Sequence, residues 1–117
     1  MARFTHLHVW HQARELLKTV SATTADMRSE GDLKSQMRRA AISVASNIAE
    51  GSERGSDRDV LRFLAFANAS AAEVEAQAMI AMDCGCLSDQ QATAIIKQAQ
   101  VVGRMLNRLM AYLAGSG

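Results

Sequence analysis

The sequence predicts an all-α protein, an antiparallel up-down four-helix bundle. The chain has 117 residues, contains no proline, and draws its 49% hydrophobic fraction mainly from alanine, leucine and methionine. This composition favours helices, because no proline interrupts the segments. Apolar residues recur at helical spacing in four stretches, separated by short runs with glycine and serine. Short connections make neighbouring helices antiparallel, and the length suits one domain over residues 1–117.

The first helix is predicted over about residues 5–27. Its apolar side consists of Leu7, Trp10, Ala13, Leu17 and Val20. These positions recur every three or four residues, as one face of a helix requires. Asp32 follows the first loop and is expected to cap the second helix, because its side chain can accept a hydrogen bond from a free backbone N–H.

The second helix is predicted over residues 33–50 and has two different faces. The apolar face consists of Leu33, Met37, Ala41, Val44 and Ile48. The other face is small and polar and consists of Gln36, Ala40, Ser43, Asn47 and Glu50. A solvated face usually carries long charged side chains, so this second face indicates that a neighbour covers the helix there as well. Gly51 is expected to end the helix in a left-handed conformation.

The third helix is predicted over residues 57–83, with Ser56 or Asp57 as its cap. Its core line consists of Val60, Leu64, Ala67, Ala71, Val74, Ala78 and Met82. Other apolar residues, including Phe63 and Phe66, spread around the rest of the cylinder. A helix that is apolar nearly all round is buried on both sides. In so small a chain one side must meet another subunit, so we expect a homo-oligomer with Phe63 and Phe66 in its interface.

The fourth helix is predicted over residues 89–114. Ser88 followed by Gln91 matches the capping box that starts a helix, since each residue's side chain can bond the other's backbone. The apolar positions of this helix are Ile95, Ile96, Ala99, Val102, Gly103, Leu106, Met110 and Leu113.

Composition limits the classes of function. The net charge of +1 argues against a strongly basic nucleic-acid domain but leaves room for a local basic face. Cys84 and Cys86 lie too close for a redox CxxC pair or a two-pair zinc site, so we expect reduced thiols and a cytoplasmic protein. The apolar runs are too short to span a bilayer, and residues 1–10 lack the apolar core of a signal peptide.

An enzyme has the least support. The sequence contains no GxSxG, P-loop or GxGxxG motif, and no glutamate is followed by histidine three residues later, as helix-bundle di-metal sites require. His6, His8 and His11 form a cluster in which two rings can share a face and bind a metal. No further ligand is placed to complete that site, so we favour a surface role for them. We therefore expect no catalytic residue, metal or cofactor.

Basic residues form stripes on two helices. Lys97, Arg104 and Arg108 share one side of the fourth helix, and no acidic residue follows Asp89. Such a stripe can follow phosphate groups, and arginine suits bidentate phosphate contact. The alternative is a solvated face without a ligand.

Arg14 and Lys18 lie four residues apart on the first helix and are expected to support that stripe. The solvated alternative is strongest around the second loop, where acidic residues interleave with the basic ones and can pair with them locally. The basic residues of that loop region are Arg54, Arg58 and Arg62.

Three motifs resemble a known protein family. They are Phe4-x-x-Leu7-x-Val9-Trp10-x-x-Ala13, Gln36-x-x-Arg39-Ala40-Ala41-x-Ser43-x-x-x-Asn47-Ile48-Ala49-Glu50-Gly51 and Phe63-Leu64-x-x-Ala67-x-x-Ser70-x-x-Glu73. Together they resemble the small four-helix-bundle proteins encoded in intervening sequences of bacterial 23S ribosomal RNA genes. The accessory variability determinant of diversity-generating retroelements is similar. The resemblance covers nearly the whole chain, and the fourth helix is its least diagnostic part.

The resemblance implies an antiparallel four-helix bundle that assembles into a ring-shaped homopentamer in the bacterial cytoplasm. It implies no catalytic activity, and it implies binding to nucleic acid or to a protein–RNA complex. In the retroelement branch it implies a reverse transcriptase as the partner. Fold transfers along such a resemblance better than function does.

The polar residues of the second and third helices are expected to form a hydrogen-bond network within or between subunits. The set comprises Gln36, Arg39, Ser43, Asn47, Glu50, Ser70 and Glu73. Within it, we expect Glu73 to meet an arginine such as Arg39 as an ion pair. Networks of this kind specify one packing more than they add stability.

The sequence leaves two functional hypotheses open. The first is a non-enzymatic homo-oligomer that binds structured RNA or DNA weakly per subunit through its basic helix faces. The second is a protein-interaction scaffold, for a partner such as a reverse transcriptase, without direct nucleic-acid binding. Salt dependence separates them, because phosphate contacts weaken steeply as salt rises.

Overall fold

The computed structural model describes residue 4, residues 7–27 and residues 31–115. Within those ranges the chain forms four α-helices and no strand, which confirms the predicted all-α class. The helices are α1 (His8–Ala25), α2 (Leu33–Ser52), α3 (Asp57–Asp83) and α4 (Asp89–Gly115). The predicted start of the first helix near Thr5 lies outside the described residues.

In cross-section, the four helices occupy the corners of a square. α1 and α3 each contact both α2 and α4, and neither diagonal pair is in contact within the described ranges. Across α3 and α4, Asn68 Nδ2 donates to Asn107 Oδ1 at 3.2 Å, and Gln100 Nε2 donates to Glu75 Oε2 at 3.4 Å. Rising residue numbers in α3 therefore meet falling numbers in α4, so these two helices are antiparallel.

The end of α1 is tied to the start of α2 by one arginine. Thr24 is fully buried, and its hydroxyl donates to the Val20 carbonyl at 2.7 Å. Arg38 Nε donates to the same hydroxyl at 3.0 Å, and Arg38 Nη2 donates to the Ser21 carbonyl at 3.2 Å. These bonds join residues that are far apart in sequence, so they fix how the first two helices meet.

The core lies along the bundle axis and contains residues of all four helices. On α2 and α3 it consists mainly of the predicted positions. On α1 the buried line runs through Val9 and Leu16, while Trp10 and Leu17 are only half-buried. Both lines share Ala13 and Val20, so the helix is rotated slightly from the predicted orientation. The largest fully buried apolar side chains are Leu16, Met37, Ile48, Leu64, Ile95, Leu106, Val20, Val44, Val74 and Val102.

Side-chain caps form at the predicted residues of α3 and α4, but not at the predicted residue of α2. The Ser56 hydroxyl accepts from Asp59 N at 3.2 Å, which makes Ser56 the cap of α3. The predicted capping box of α4 is confirmed, because Ser88 and Gln91 each accept from the other's backbone N–H at 3.1 and 3.0 Å. The Asp32 side chain accepts no capping bond, because its backbone (φ −91°, ψ 5°) lacks the extended conformation of a side-chain cap.

Gly51 and Gly85, the glycines nearest the ends of α2 and α3, behave differently. Gly51 continues α2 to Ser52, and only Gly31 and Gly85 have positive φ among the described residues, so the predicted left-handed stop at Gly51 is wrong. Gly85 has φ +74° and ends α3, where the next residue's N–H donates back to the Ala81 carbonyl at 2.8 Å. Gly51 instead faces α3 and is buried there.

None of the helices in the described ranges combines the length and the apolar character that a membrane crossing needs.

Candidate nucleic-acid interface and assembly face

The basic strip on α4 lies on the outer side of the bundle. Lys97, Arg104 and Arg108 are exposed, and none of them forms a hydrogen bond or ion pair with another described residue. At a rise of about 1.5 Å per residue, the strip is roughly 16 Å long. Three extended cations along this length leave their charge available to an external anion.

The strip lies between two shallow depressions. Arg104 lines an open groove of about 410 Å³ between α3 and α4, together with Glu75 and the small residues Ala72 and Gly103. Arg108 lines the opposite depression, towards α1, together with His8. The two arginines therefore reach to either side of α4, and the cationic surface is wider than one helix ridge.

The two supporting residues on α1 are exposed but have partners. The Arg14 guanidinium lies 5.9 Å from the centre of the Trp10 ring. Lys18 Nζ donates to Glu15 Oε1 at 3.2 Å, with both side chains more than half exposed. An exposed ion pair of this kind contributes little and can exchange for another anion. Both residues lie on α1, which packs on α4, and their support of the strip stays a prediction.

Two of the three arginines around the second loop are held locally, whereas Arg58 is exposed without a partner among the described residues. Arg54 forms an ion pair with Glu50, and Arg62 lies 3.8 Å from Asp59. Both guanidinium groups also lie over the Phe63 ring, at 4.4 and 5.0 Å from its centre. These contacts agree with the solvated, locally paired alternative for this region. The strip on α4 is thus the better candidate for phosphate contact.

A polar seam runs between α2 and α3, formed by Ser43, Asn47, Ser70, Glu73 and Gln77. The hydroxyls of Ser43 and Ser70 are hydrogen-bonded at 2.8 Å. Asn47 Nδ2 donates to the Ser43 carbonyl at 2.9 Å and to the Ser43 hydroxyl at 3.0 Å. The structure thus brings three of the predicted network residues together, half-buried at the surface of one chain.

Of the remaining network residues, Glu50 and Glu73 have a partner within the chain, and the other two have none among the described residues. Glu50 is engaged by the nearby loop arginine, whereas Gln36 and Arg39 are exposed and have no partner among the described residues. Glu73 accepts from Gln77 Nε2 at 3.5 Å and meets no arginine within the described part of the chain. The expected Glu73–Arg39 pair therefore does not form inside one chain, and its formation between subunits stays a prediction.

Sequence reasoning missed Gln77. This residue is only 6% exposed, although it is polar and lies on the third helix. It follows Ser70 by seven residues and Glu73 by four, so all three share one side of the helix. That spacing is the available signal, but it is weak, because a glutamine in an alanine-rich helix is usually solvated.

Large apolar side chains flank the seam. Ile42 on α2 is 49% exposed, and Phe66 and Ile80 on α3 are 47% and 50% exposed. Phe63 is half-buried and meets Phe66 edge to face, with ring centres 5.7 Å apart. We call the seam and these flanking residues the α2–α3 face. An apolar rim around incompletely bonded polar groups is typical of a surface that another protein covers.

The structure places His8 and His11 on the exposed side of α1, while His6 lies outside the described residues. Among the residues described, no three histidine, cysteine, aspartate or glutamate side chains converge as metal ligands. Cys84 is exposed and Cys86 half-buried at the turn before α4, and no disulfide joins them.

Comparison with known proteins places this fold. A crystal structure of a protein of unknown function from the S23 ribosomal protein family of Bacteroides thetaiotaomicron VPI-5482 superposes with a TM-score of 0.82. The two chains are 18% identical, and the match covers 87% of this chain and 97% of the other. No curated protein matches this chain. The sequence model of the 23S rRNA-intervening sequence protein family matches residues 5–108, so the chain belongs to that family.

Proposed function

We propose that this protein is a non-enzymatic, self-assembling helical-bundle module of the bacterial cytoplasm that binds structured RNA or DNA. Each subunit binds weakly, through the basic strip of Lys97, Arg104 and Arg108, with support from Arg14 and Lys18. The observation that carries the proposal is that all three strip cations are exposed and have no partner among the described residues, on a helix without acidic residues after Asp89.

The strip suits a phosphate backbone better than a sequence-specific site. Arginine presents a planar fork of N–H donors that matches phosphate oxygens, and lysine adds a point charge. Tyr112 is the one aromatic residue on α4, so base stacking contributes little. The expected binding is therefore electrostatic and weakly selective for sequence, with a strong dependence on salt.

Self-assembly supplies the missing affinity. A net charge of +1 and a three-cation strip make a feeble site in one chain. Several copies that present the strip together gain avidity from effective concentration, without any new contact. The α2–α3 face, on a different side of the bundle, provides the surface for assembly, and the family resemblance gives a pentameric ring as the expected form.

The test is fluorescence anisotropy of a labelled RNA hairpin, titrated at low and near-physiological salt. The variant Arg104→Glu/Arg108→Glu removes the strip, and Arg58→Glu/Arg62→Glu is the matched control. Each variant reverses the charge of two arginines that lie four residues apart, so both variants change the net charge of the protein by the same amount. Light scattering checks that each variant keeps the oligomer mass of the wild type.

We expect salt-sensitive binding by the wild type and the control, and a loss of at least tenfold for the strip variant. Each phosphate contact removed lowers the salt slope by about 0.9 on B-DNA and about 0.7 on single strands. Equal binding by the strip variant and the control would contradict the assigned face. Absence of binding by the wild type at both salt concentrations would contradict nucleic-acid binding for this class of RNA.

The second candidate is a protein-interaction scaffold without direct nucleic-acid binding. The exposed apolar residues of the α2–α3 face favour it, since a monomeric protein seldom leaves such residues uncovered around a polar seam. A partner such as the reverse transcriptase implied by the family resemblance then replaces RNA. Affinity for that partner should change little with salt, which separates the two candidates in a titration.

A further inference from the structure

The groove between α3 and α4 adjoins the basic strip and is bounded by two side-chain bridges. Asn68 bonds to Asn107 at 3.2 Å, and Gln100 bonds to Glu75 at 3.4 Å. The bridges lie seven residues apart on each helix, so they are separated by about 10 Å along the groove. The groove measures about 410 Å³, which lies within the usual range of roughly 300–1,000 Å³ for small-molecule sites.

Small residues line the groove between the bridges, and one of them is a glycine that packing does not require. Gly103 lies inside α4, where glycine destabilises a helix relative to alanine. A β-carbon built on Gly103 would meet only Asn68 Oδ1, at an ordinary contact distance of 3.5 Å. Close packing of α3 and α4 would therefore accept a side chain here, in contrast to Gly51. The missing side chain instead leaves the groove open beside Ala72.

Two opposite charges line this groove without meeting. Arg104 forms no ion pair with any described residue, and Glu75 accepts one long bond from Gln100. The Glu75 carboxylate therefore keeps acceptor capacity on both oxygens. Because the two bridges fix the register, Arg104 lies level with Ala71, which is one helical turn from Glu75. The groove thus offers a ligand an anionic acceptor and a cationic donor about one turn apart.

A guanine base complements both groups. Its Watson–Crick edge carries two adjacent N–H donors, which one carboxylate can accept together, and an acceptor oxygen beside them. The same edges of adenine, cytosine and uracil lack two adjacent donors, so a carboxylate discriminates against those bases. A protein reaches this edge only where the base is unpaired, as in the loop or bulge of a folded RNA.

We propose that the groove between α3 and α4 receives one unpaired guanine of a bound RNA. Glu75 accepts from the N1–H and the amino group of the base, Arg104 donates to its O6 oxygen, and Gly103 leaves room for the ring. The inference rests on the nucleic-acid binding of the proposed function and names the nucleotide that this surface selects. The strip alone contacts phosphates with little selectivity, so a base preference has to come from the groove beside it.

The test is fluorescence anisotropy of three labelled RNA hairpins that share one stem and one loop length, at low and near-physiological salt. The loop contains only uridine, one guanosine among uridines, or one inosine in place of that guanosine. Inosine keeps the N1–H and O6 groups of guanosine and lacks the amino group, so it removes one donor.

Two variants change the groove, and a third is the control. Glu75→Gln keeps the shape of the side chain and removes its charge, and Gly103→Leu fills the groove. Ala22→Leu adds the same side chain at an exposed position on α1. Circular dichroism and light scattering check the helix content and the oligomer mass of each variant.

For the wild type and the control we expect the guanosine hairpin to bind at least about fivefold more tightly than the uridine hairpin, as one bidentate base contact provides. The inosine hairpin should lose most of this preference. Glu75→Gln and Gly103→Leu should bind the guanosine and uridine hairpins equally. The ratio of the two affinities cancels the general effect of the charge that Glu75→Gln removes. Gly103→Leu should keep the salt dependence of the wild type, because the strip is intact.

Equal affinity of the wild type for the guanosine and uridine hairpins would overturn the inference and leave the proposed strip in place. A guanosine preference that survives in Glu75→Gln or in a folded Gly103→Leu would also overturn it, as would an inosine hairpin that binds as tightly as the guanosine hairpin. If Gly103→Leu does not fold, Glu75→Gln decides the outcome. Absence of binding to all three hairpins at both salt concentrations would overturn the inference and the proposed nucleic-acid binding together.

Discussion

Gly51 of α2 lies so close to Phe63 of α3 that a β-carbon built on Gly51 would come within 2.9 Å of Phe63 Cβ. Such a distance is shorter than real β-carbon contacts, and the Phe63 β-carbon is fixed to its backbone. The glycine therefore sets how closely these two helices approach. It also holds the Phe63 ring where Arg54 and Arg62 can lie over it.

Replacing Gly51 with alanine should destabilise the fold. We expect Gly51→Ala to lower the free energy of unfolding by about 1–3 kcal/mol, because the added methyl group overpacks the junction of α2 and α3. Urea denaturation measures the change. Gly103→Ala is the control, since a β-carbon there meets only Asn68 Oδ1 at 3.5 Å. The control should gain about 0.5–1 kcal/mol from helix propensity, and equal effects at both positions would exclude the steric argument.

The hydroxyl of Ser43 should contribute measurable stability. Ser43→Ala removes the bond to Ser70 and one of the two bonds from Asn47. We expect a loss of about 1 kcal/mol relative to Ser46→Ala, which changes an exposed serine of the same helix. The difference between the variants cancels the shared gain in helix propensity. Thermal or urea unfolding measures it, and a difference near zero would mean that the seam contributes no stability in the single chain.

The exposed ring of Phe66 should matter for assembly and not for folding. Phe66→Glu places a charge on the α2–α3 face, so we expect at least a tenfold weaker self-association with little change in helix content. Tyr112→Glu is the control, because Tyr112 is 71% exposed and lies on α4. Sedimentation velocity over a concentration series measures both variants. Dissociation of both to the same extent would point to a general charge effect instead of a local interface.

Local sequence determined most of the fold. The four helices, the capping box at Ser88 and Gln91, and the cap at Ser56 depend on residues a few positions apart, so period and capping chemistry predict them directly. The core lines of α2 and α3 also follow from spacing, because apolar residues recur at the helical period along one line of each helix. On α1 both Trp10 and Val9 can face inward, and only packing against the neighbouring helices selects Val9.

Local spacing also explains which parts of the candidate sites could be predicted. The basic strip on α4 is a property of one helix, so Lys97, Arg104 and Arg108 share a face by spacing alone. The seam needs two helices, and the sequence could name Ser43 and Ser70 as polar but could not set their register. Gln77 was missed because its burial depends on how α3 packs against its neighbours, which the spacing along one helix does not show.

The sequence by itself determined the four helices, the starts of α3 and α4 and the charge of each helix face, because these depend on local spacing. Tertiary structure decided the rest. It turned Gly51 from a predicted stop into a point of close helix contact, drew Arg38 to Thr24, and kept Arg39 and Glu73 apart within one chain. The physical reason is that packing distance and helix register depend on the whole bundle, and no local pattern specifies them.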